Sequence, residues 1–275
     1  MSLTVNTNVS SLMAQTSLGK TSRAMAGSFE RLSTGLRVSK AADDAAGLAV
    51  AENLDTTARS ARVAMRNVND GVSVISTAEG ATNEVGNIVK RMRELAVQSS
   101  SETLADSERA YIQDEYTELA AEVDRIAGAT EFNGTSLTDG TTTSMNVQVG
   151  VNGTSNDQIG VSLGNLSATV LGVDTGSLDM STATGAQSAL SALDTAVDTI
   201  AGYRSEYGAV QNRLGSALNN LETYHTNLKS AESSIRDADF AFETAELTKN
   251  QVMQQAGVSV LAQAKGMSSS ALSLL

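Results

Sequence analysis

The fold is decided by the longest regular stretch of the sequence, residues 190–235, which read LSALDTAVDTIAGYRSEYGAVQNRLGSALNNLETYHTNLKSAESSI. Apolar side chains recur in this stretch at steps of three or four residues. They are Leu190, Leu193, Val197, Ile200, Tyr203, Tyr207, Val210, Leu214, Ala217, Leu221, Tyr224, Leu228, Ala231 and Ile235. The mean step is about 3.5 residues, which is the repeat of a coiled coil. A helix of this length is roughly 70 Å long, and it can bury its apolar stripe only if other helices pack along it.

Two further helical patterns precede this stretch, one from Met65 to Leu95 and one from Ile112 to Ile126. Residues 99–106 separate them and are rich in Ser, Thr and Asp, which favour turns and helix N-caps. A short connection makes the two helices antiparallel neighbours, and the third helix then packs on both. The sequence therefore predicts a mainly α fold, a long antiparallel helical bundle or coiled coil.

The composition supports long helices and argues against several classes of function. The chain has no Pro, Cys or Trp, a single His and 3% aromatic residues. Proline costs about 3 kcal/mol inside a helix, so its absence suits long helices. The net charge of -12 argues against binding to nucleic acid. No segment approaches the roughly 20 apolar residues of a membrane span, and a lone His225 cannot form a metal site. We therefore expect neither an enzyme nor a protein with a metal or cofactor.

The middle of the chain has a different pattern. Between about residues 132 and 185, Gly, Thr, Ser, Asn and Asp dominate. Short alternating runs at 145–149 and 159–163 predict a β-hairpin at about 145–163. A disordered Ser/Thr linker is the alternative interpretation. We expect the remainder, about 164–185, to be a short, irregular and variable segment.

The two ends of the chain are unusual because they carry almost no charge. Residues 1–19 have no charged side chain, and residues 251–275 have only Lys265. Both ends nevertheless repeat apolar residues at helical spacing. Uncharged amphipathic ends are a liability in a monomer unless another chain covers them. Docking of both helices on the chain's own bundle is the alternative.

Seven blocks, in order along the chain, resemble bacterial flagellin. They are VNTNV at 5–9, ERLSTGLR at 30–37, DDAAGLA at 43–49, RMRELAVQ at 91–98, TEFNG at 130–134, IRDADF at 235–240 and QQAGVSVLAQA at 254–264. The resemblance covers about residues 1–165 and 186–275. Larger flagellins carry additional domains after the strand pair, whereas only about 25 residues separate Leu163 from the third helix here. We therefore expect a short form without the outer insertion domains.

The resemblance implies three parts and a structural role. Residues 1–42 and 237–275 would be the two halves of an inner coiled-coil polymerisation domain, and 43–236 a rod-like helical domain. The protein would be secreted unfolded through the flagellar export apparatus, without a cleavable signal peptide, and assembled at the filament tip outside the cell. Its partners would be itself and sister flagellins, an export chaperone, the filament cap and the hook–filament junction proteins.

The resemblance also suggests functional residues. The subunit-packing residues would be Val5, Val9, Leu12, Phe29, Leu32, Val252, Ala256, Val260, Leu261, Leu274 and Leu275. Arg91, Leu95 and Glu115 match positions that the host flagellin-sensing Toll-like receptor reads, and we expect a contact between neighbouring subunits as their native role.

Three alternatives remain. A hook–filament junction protein shares the helical ends, although the complete C-terminal block argues against it. An enzyme with flagellin-like ends has little room in a middle segment without His, Lys or Arg. A soluble helical adhesin is the third.

Overall fold

The computed structural model describes the backbone of residues 7–272 and the side chains of residues 7–266. The helices are α1 (Val9–Thr34), α2 (Ala45–Ser99), α3 (Asp106–Ala129), α4 (Ala168–Leu171), α5 (Ala183–Arg236) and α6 (Phe240–Leu272). The strands are β1 (Glu131–Phe132), β2 (Thr135–Ser136), β3 (Ser144–Gln148) and β4 (Gln158–Ser162). The predicted mainly α fold with a small hairpin is confirmed. Within the described residues, no helix combines the length and the apolar character needed to cross a membrane.

Packing divides the chain into two compact units. The first contains the described residues up to 58 and those from 226 onward, and the second contains residues 59–225. The division falls inside α2 and α5, whereas the predicted boundaries at 42/43 and 236/237 lie at the breaks between helices. The breaks mark where a helix ends, and the division marks which segments pack together. Each of these two long helices therefore contributes one end to the first unit.

The core of the second unit is formed by apolar side chains from α2, α3 and α5. Met92, Tyr116 and Leu193 come from these three helices in turn, each is less than 2% exposed, and they share one apolar cluster. Tyr207 and Leu214 belong to a second cluster together with residues of α2 and the hairpin. Full burial of one such side chain stabilises the fold by about 1.5–3 kcal/mol. The periodic stripes read from the sequence are thus the packed faces of these helices.

The turn predicted at residues 99–106 is present between α2 and α3. Glu108 begins α3 by accepting a hydrogen bond from the backbone N–H of Ala105 at 3.1 Å. Arg109 is 4% exposed and lies over the end of α2. Its guanidinium donates to the carbonyls of Ser99 at 3.0 Å and Ser101 at 2.9 Å. A positive group at a helix C-terminus is favourable, and the sequence analysis had given Arg109 no role.

The predicted β-hairpin at 145–163 is confirmed as the antiparallel pair β3–β4. Val147 lies opposite Ile159, and both side chains are buried together with Val161. The hairpin packs closely on α2, where a Cβ added at Gly71 would lie 2.8 Å from Cγ2 of Val147. Glycine at position 71 therefore permits the hairpin to approach the helix.

A second, smaller hairpin, β1–β2, was not predicted. Its two turn residues are Asn133 and Gly134, with φ of 51° and 76°. A two-residue turn with both φ values positive is the type I′ geometry, for which Asn-Gly is the preferred sequence. The signal was present in the sequence, but two-residue strands are too short to give an alternating pattern.

The segment at 164–185 is more ordered than expected. It contains α4, and six of its apolar side chains are buried in the main cluster of the second unit. The buried members are Leu166, Ala168, Leu171, Val173, Leu178 and Met180. The hydroxyl of Tyr116 donates to the carbonyl of Val173 at 2.7 Å and ties the segment to α3. Because most residues of the segment are polar, the sequence did not indicate that its apolar side chains form part of the core.

In the first unit, the links α1–α2 and α5–α6 are joined to each other. Gly35 ends α1 with a φ of 70°, and its carbonyl accepts from the backbone N–H of Ala238 at 2.9 Å. The backbone N–H of Arg37 donates to the carbonyl of Arg236 at 2.7 Å, and its guanidinium donates to that of Ile235 at 2.7 Å. These bonds satisfy the last carbonyls of α5 and hold the beginning of α6 beside the end of α1.

Candidate assembly surfaces

Helices α1 and α6 pack against each other in antiparallel orientation. At one end, the side-chain amide of Asn8 donates to the carbonyl of Ala264 at 2.9 Å. At the other end, Nη1 of Arg31 lies 3.0 Å from Oε1 of Glu243. Residues near the start of α1 therefore meet those far along α6, and the end of α1 meets the start of α6.

The side of each helix that faces its partner contains few large apolar residues. We call these positions the inner seam, and they recur at alternating steps of three and four residues. On α1 they are Ser11, Ala14, Leu18, Thr21, Met25, Ser28 and Leu32, and on α6 they are Glu243, Leu247, Asn250, Gln254, Gly257, Leu261 and Ala264. All are buried or half-buried, but about half are polar. The pair thus buries little of the large apolar surface that stabilises a helix pair.

A second side of α6, next to the inner seam, is apolar and exposed. We call this set the outer stripe, and it consists of Phe242, Val252, Met253, Ala256 and Val260. The exposed fractions of Phe242, Val252 and Val260 are 61%, 59% and 54%. At the start of α1, Val9 and Leu12 are 57% and 62% exposed. Among the described residues no element covers this stripe, and an exposed apolar stripe of this kind is typical of an interaction surface.

The structure separates the predicted subunit-packing residues into three groups. Those that are exposed are Val9, Leu12, Phe29, Val252, Ala256 and Val260, and those that are half-buried in the inner seam are Leu32 and Leu261. Val5, Leu274 and Leu275 lie outside the described residues. Sequence reasoning missed Met13 and Met253, which are 69% and 56% exposed. Their flexible apolar side chains adjoin predicted positions, so a wider definition of the stripe would have found them.

A second candidate surface lies across α2 and α3. The guanidinium of Arg91 donates to Oε1 of Glu115, with Nε at 3.0 Å and Nη2 at 2.8 Å. Its Nη1 also donates to Glu94 at 3.1 Å. The hydrogen bond to Glu115, followed by that to Glu94, raises the pKa of Arg91 above its ordinary value. The three side chains form an exposed, charge-paired patch in which Arg91 and Glu115 lie together.

Leu95 differs from its two predicted companions because its side chain is 1% exposed. It packs in the main apolar cluster with Met92 and Ile112. In this conformation it cannot meet a neighbouring protein directly. The sequence pattern had placed Leu95 on the apolar stripe of α2, and the family resemblance had placed it in the contact. The structure shows its side chain on the stripe, in the core.

The adjacent carboxylates Asp43 and Asp44 cap backbone groups. Oδ2 of Asp43 accepts from the N–H of Lys40 at 3.0 Å, and Oδ1 of Asp44 accepts from that of Gly47 at 2.9 Å. Backbone hydrogen bonds from Lys40 and Ser39 lower the pKa of Asp43. The pair therefore orders the link into α2. In the part of the chain whose side chains are described, no group of three or more His, Asp or Glu residues is arranged to hold a metal ion.

Family models match both ends of the chain. The model of the bacterial flagellin N-terminal helical region matches residues 5–143, and that of the C-terminal helical region matches residues 190–275. The chain belongs to the bacterial flagellin family. Flagellins are structural subunits of the flagellar filament, and this chain is therefore a structural filament protein.

Curated relatives extend the match over nearly the whole chain. The flagellin of Halalkalibacterium halodurans is 39% identical over 98% of this chain and 99% of its own length. The flagellar filament 33 kDa core protein of Treponema phagedenis is 37% identical over 98% and 99%. The flagellin of Xenorhabdus nematophila is 38% identical, with both chains covered completely. That last alignment spans 314 positions, more than the 275 residues of this flagellin, which is consistent with a short form.

Solved structures support the fold. The crystal structure of Bacillus cereus flagellin is similar with a TM-score of 0.50 and 32% identity, and the match covers 57% of this chain and 88% of that one. A putative flagellar hook-associated protein from Vibrio parahaemolyticus has a TM-score of 0.59 at 15% identity, covering 71% and 100%. The second likeness concerns the fold alone. The family models and relatives thus favour a flagellin over the junction protein considered above.

Proposed function

We propose that this flagellin polymerises by burying the outer stripe of α6, and the exposed start of α1, against neighbouring copies. The observation that carries the proposal is that α6 has two different sides, of which only one is covered. The inner seam is occupied by α1, while Phe242, Val252 and Val260 remain more than half exposed. A second copy is the partner that fits, because the family is one of filament subunits.

The weakness of the α1–α6 pair supports the family's mode of export. Among the side chains described in these two helices, the buried ones are Ser11, Ser28, Glu243 and Ala264. A pair that buries so little is marginal alone and gains its order from contacts made on assembly. The chain is accordingly secreted unfolded through the flagellar export apparatus and is added at the filament tip outside the cell.

The remaining partners follow from the same assignment. An export chaperone binds the chain before assembly, and the filament cap contacts it during assembly. The hook–filament junction proteins contact the filament at its base, and sister flagellins share the filament. The chain has no catalytic role, because the family is a structural one. The predicted division into an inner domain of 1–42 and 237–275 and a rod-like domain of 43–236 is kept as part of this proposal.

The patch around Arg91 and Glu115 is a contact between neighbouring subunits. Both side chains are about half exposed, at 49% and 46%, and both already have partners within the chain. Such a patch contributes geometry and selectivity more than affinity, because exposed ion pairs are typically worth less than about 1 kcal/mol. On released monomers the same patch is open to the host Toll-like receptor. Leu95 supports the patch from the core.

Seeded elongation tests the polymerisation proposal. Purified monomer is added to fragmented filaments at neutral pH, and growth is followed by light scattering and electron microscopy. The full chain elongates the seeds, whereas chains lacking residues 1–30 or 245–275 do not, although their second unit keeps its helical circular dichroism. Lack of growth by the intact chain, or growth by a truncated one, would refute the proposal.

A further inference from the structure

The inner seam shows which residues hold α1 and α6 in one register. Leu18 faces Gly257 so closely that a Cβ added to the glycine would lie 3.1 Å from Cδ1 of the leucine. The Arg31–Glu243 ion pair lies toward one end of the helix pair, and the Asn8 hydrogen bond described above lies toward the other. These contacts define one antiparallel alignment, because the residue number on α6 falls as the number on α1 rises.

The same register pairs the seam positions in seven layers. The facing residues are Ser11 with Ala264, Ala14 with Leu261, Leu18 with Gly257, Thr21 with Gln254, Met25 with Asn250, Ser28 with Leu247 and Leu32 with Glu243. In the layers that contain a leucine from one helix, the other helix supplies a smaller side chain, a glycine or the Glu243 carboxylate. A leucine that fits beside a small residue favours one alignment, even where the apolar surface is too small to specify it. We call the space beside Gly257 that receives Leu18 the notch.

We propose that Leu18 with Gly257, and Arg31 with Glu243, are specificity determinants that hold the register of the α1–α6 pair along its length, in addition to the backbone hydrogen bonds that join the two links at Gly35 and Ala238. This inference rests on the proposed polymerisation, because the register decides how the outer stripe of α6 is presented to the next copy. Both pairs act by positioning α6 against α1.

A slip by one heptad shows why these residues discriminate. In one direction Leu18 faces Asn250, and Glu243 faces Met25 in place of Leu32 and lies away from Arg31. In the other direction Leu18 faces Ala264, and Glu243 lies beyond the end of α1. Each slip therefore takes Leu18 out of the notch at Gly257 and leaves Glu243, whose side chain is 5% exposed, without its cation. In the first slip the carboxylate stays against α1 without a partner, which is strongly unfavourable, and in the second the ion pair is lost, so the polar pair disfavours both alignments.

The flagellin has no cysteine, so engineered pairs can report the register directly. Thr21→Cys combined with Gln254→Cys places two thiols in one layer, whereas Thr21→Cys with Leu247→Cys places them one heptad apart. Filaments assembled from each variant are oxidised and run on denaturing gels without reductant. We expect the first pair to form an intrachain disulfide and the second to stay reduced. Equal oxidation of the two pairs would overturn the proposed register.

The role of the charges is tested by reversing them. In the Thr21/Leu247 reporter, Arg31→Glu should allow off-register oxidation and raise the critical concentration for seeded elongation at least about fivefold. Adding Glu243→Arg should restore both readouts, which a loss of helix stability alone would not do. If the reciprocal variant behaves like the single one, Arg31 and Glu243 do not set the register.

The notch is tested by filling it. Gly257→Leu should shift oxidation to the off-register reporter, and Leu18→Ala added to it should shift oxidation back. Gly19→Leu is the matched control, since no atom lies within 4 Å of a Cβ added there. An unchanged pattern with Gly257→Leu would refute the notch. Failure of the unmodified chain to form filaments would instead refute the polymerisation proposal, so the two failures are distinct.

Discussion

Removing two valines from the outer stripe should weaken assembly without weakening the subunit. Val252 and Val260 are 59% and 54% exposed, so slightly more than half of each side chain remains to be buried by a neighbouring copy. Complete burial of a valine is worth about 1.5–3 kcal/mol, so each contributes roughly 1 kcal/mol to assembly and the two together roughly 2 kcal/mol. A factor of ten in an equilibrium constant corresponds to about 1.4 kcal/mol. The double variant Val252→Ser with Val260→Ser should therefore raise the critical concentration roughly 30-fold.

The assay is the amount of subunit left in the supernatant after seeded elongation and sedimentation. Serine and valine have similar helix propensities, so the thermal unfolding of the monomer should change little. Val170→Ser is the matched control, because Val170 is 57% exposed but lies in α4 of the second unit. If the double variant elongates at the wild-type critical concentration, or if Val170→Ser is equally impaired, the assignment of the outer stripe to subunit packing is refuted.

Three further predictions concern the second unit and are checked by urea unfolding of the monomer. Tyr116→Phe should lower the free energy of unfolding by about 1–3 kcal/mol, because the buried carbonyl of Val173 loses its hydrogen-bond donor. A change within error would mean that this bond does not hold the segment after the hairpin. Gly164→Ala should lower the free energy of unfolding by about 1–3 kcal/mol through overpacking, since the new Cβ would lie 2.6 Å from the ring of Tyr203. A stabilising effect would show that the ring moves freely. Hydrogen bonds, above all one from the hydroxyl of Ser177, lower the pKa of Asp174 below its ordinary value of 3.8. The stability that the ionised carboxylate contributes is therefore present at neutral pH and is lost as the pH falls through the lowered pKa. Asp174→Asn should therefore reduce the loss of stability below about pH 4, and an identical acid profile would contradict this.

The long helices could be predicted because their periodicity persists over many turns. The stripe of α5 from Leu190 onward and the hairpin at β3–β4 were both readable, the first from its 3.5-residue repeat and the second from alternation. The division of the chain was less readable. The boundaries at 42/43 and 236/237 came from the family resemblance and lie at helix breaks, whereas the division near residues 58 and 225 depends on which segments pack together.

The candidate surfaces were predicted only in part, for a physical reason. The apolar repeat read on α6 is the outer stripe, and the inner seam is too polar to be recognised as a packing surface. Leu32 and Leu261 were assigned to subunit packing because a repeat does not reveal which side a partner from the same chain covers. Leu95 was grouped with the contact because it matches a receptor-read position of the family, although its place on the apolar stripe already indicated the core. Arg109 carried no pattern at all, because its role depends on the carbonyls that the α2–α3 turn presents to it.

The central claim is that neighbouring copies cover the outer stripe, and cysteine protection tests it most directly. Single variants Val252→Cys, Val260→Cys and Val170→Cys are treated with a thiol-alkylating reagent as monomers and as filaments, and modification rates are read by mass spectrometry. All three should react readily as monomers, where each parent side chain is more than half exposed. In filaments, the thiols of the two α6 variants should become protected, while the thiol of the α4 variant keeps its monomer rate. Filaments in which both α6 variants react as fast as their monomers would contradict the account.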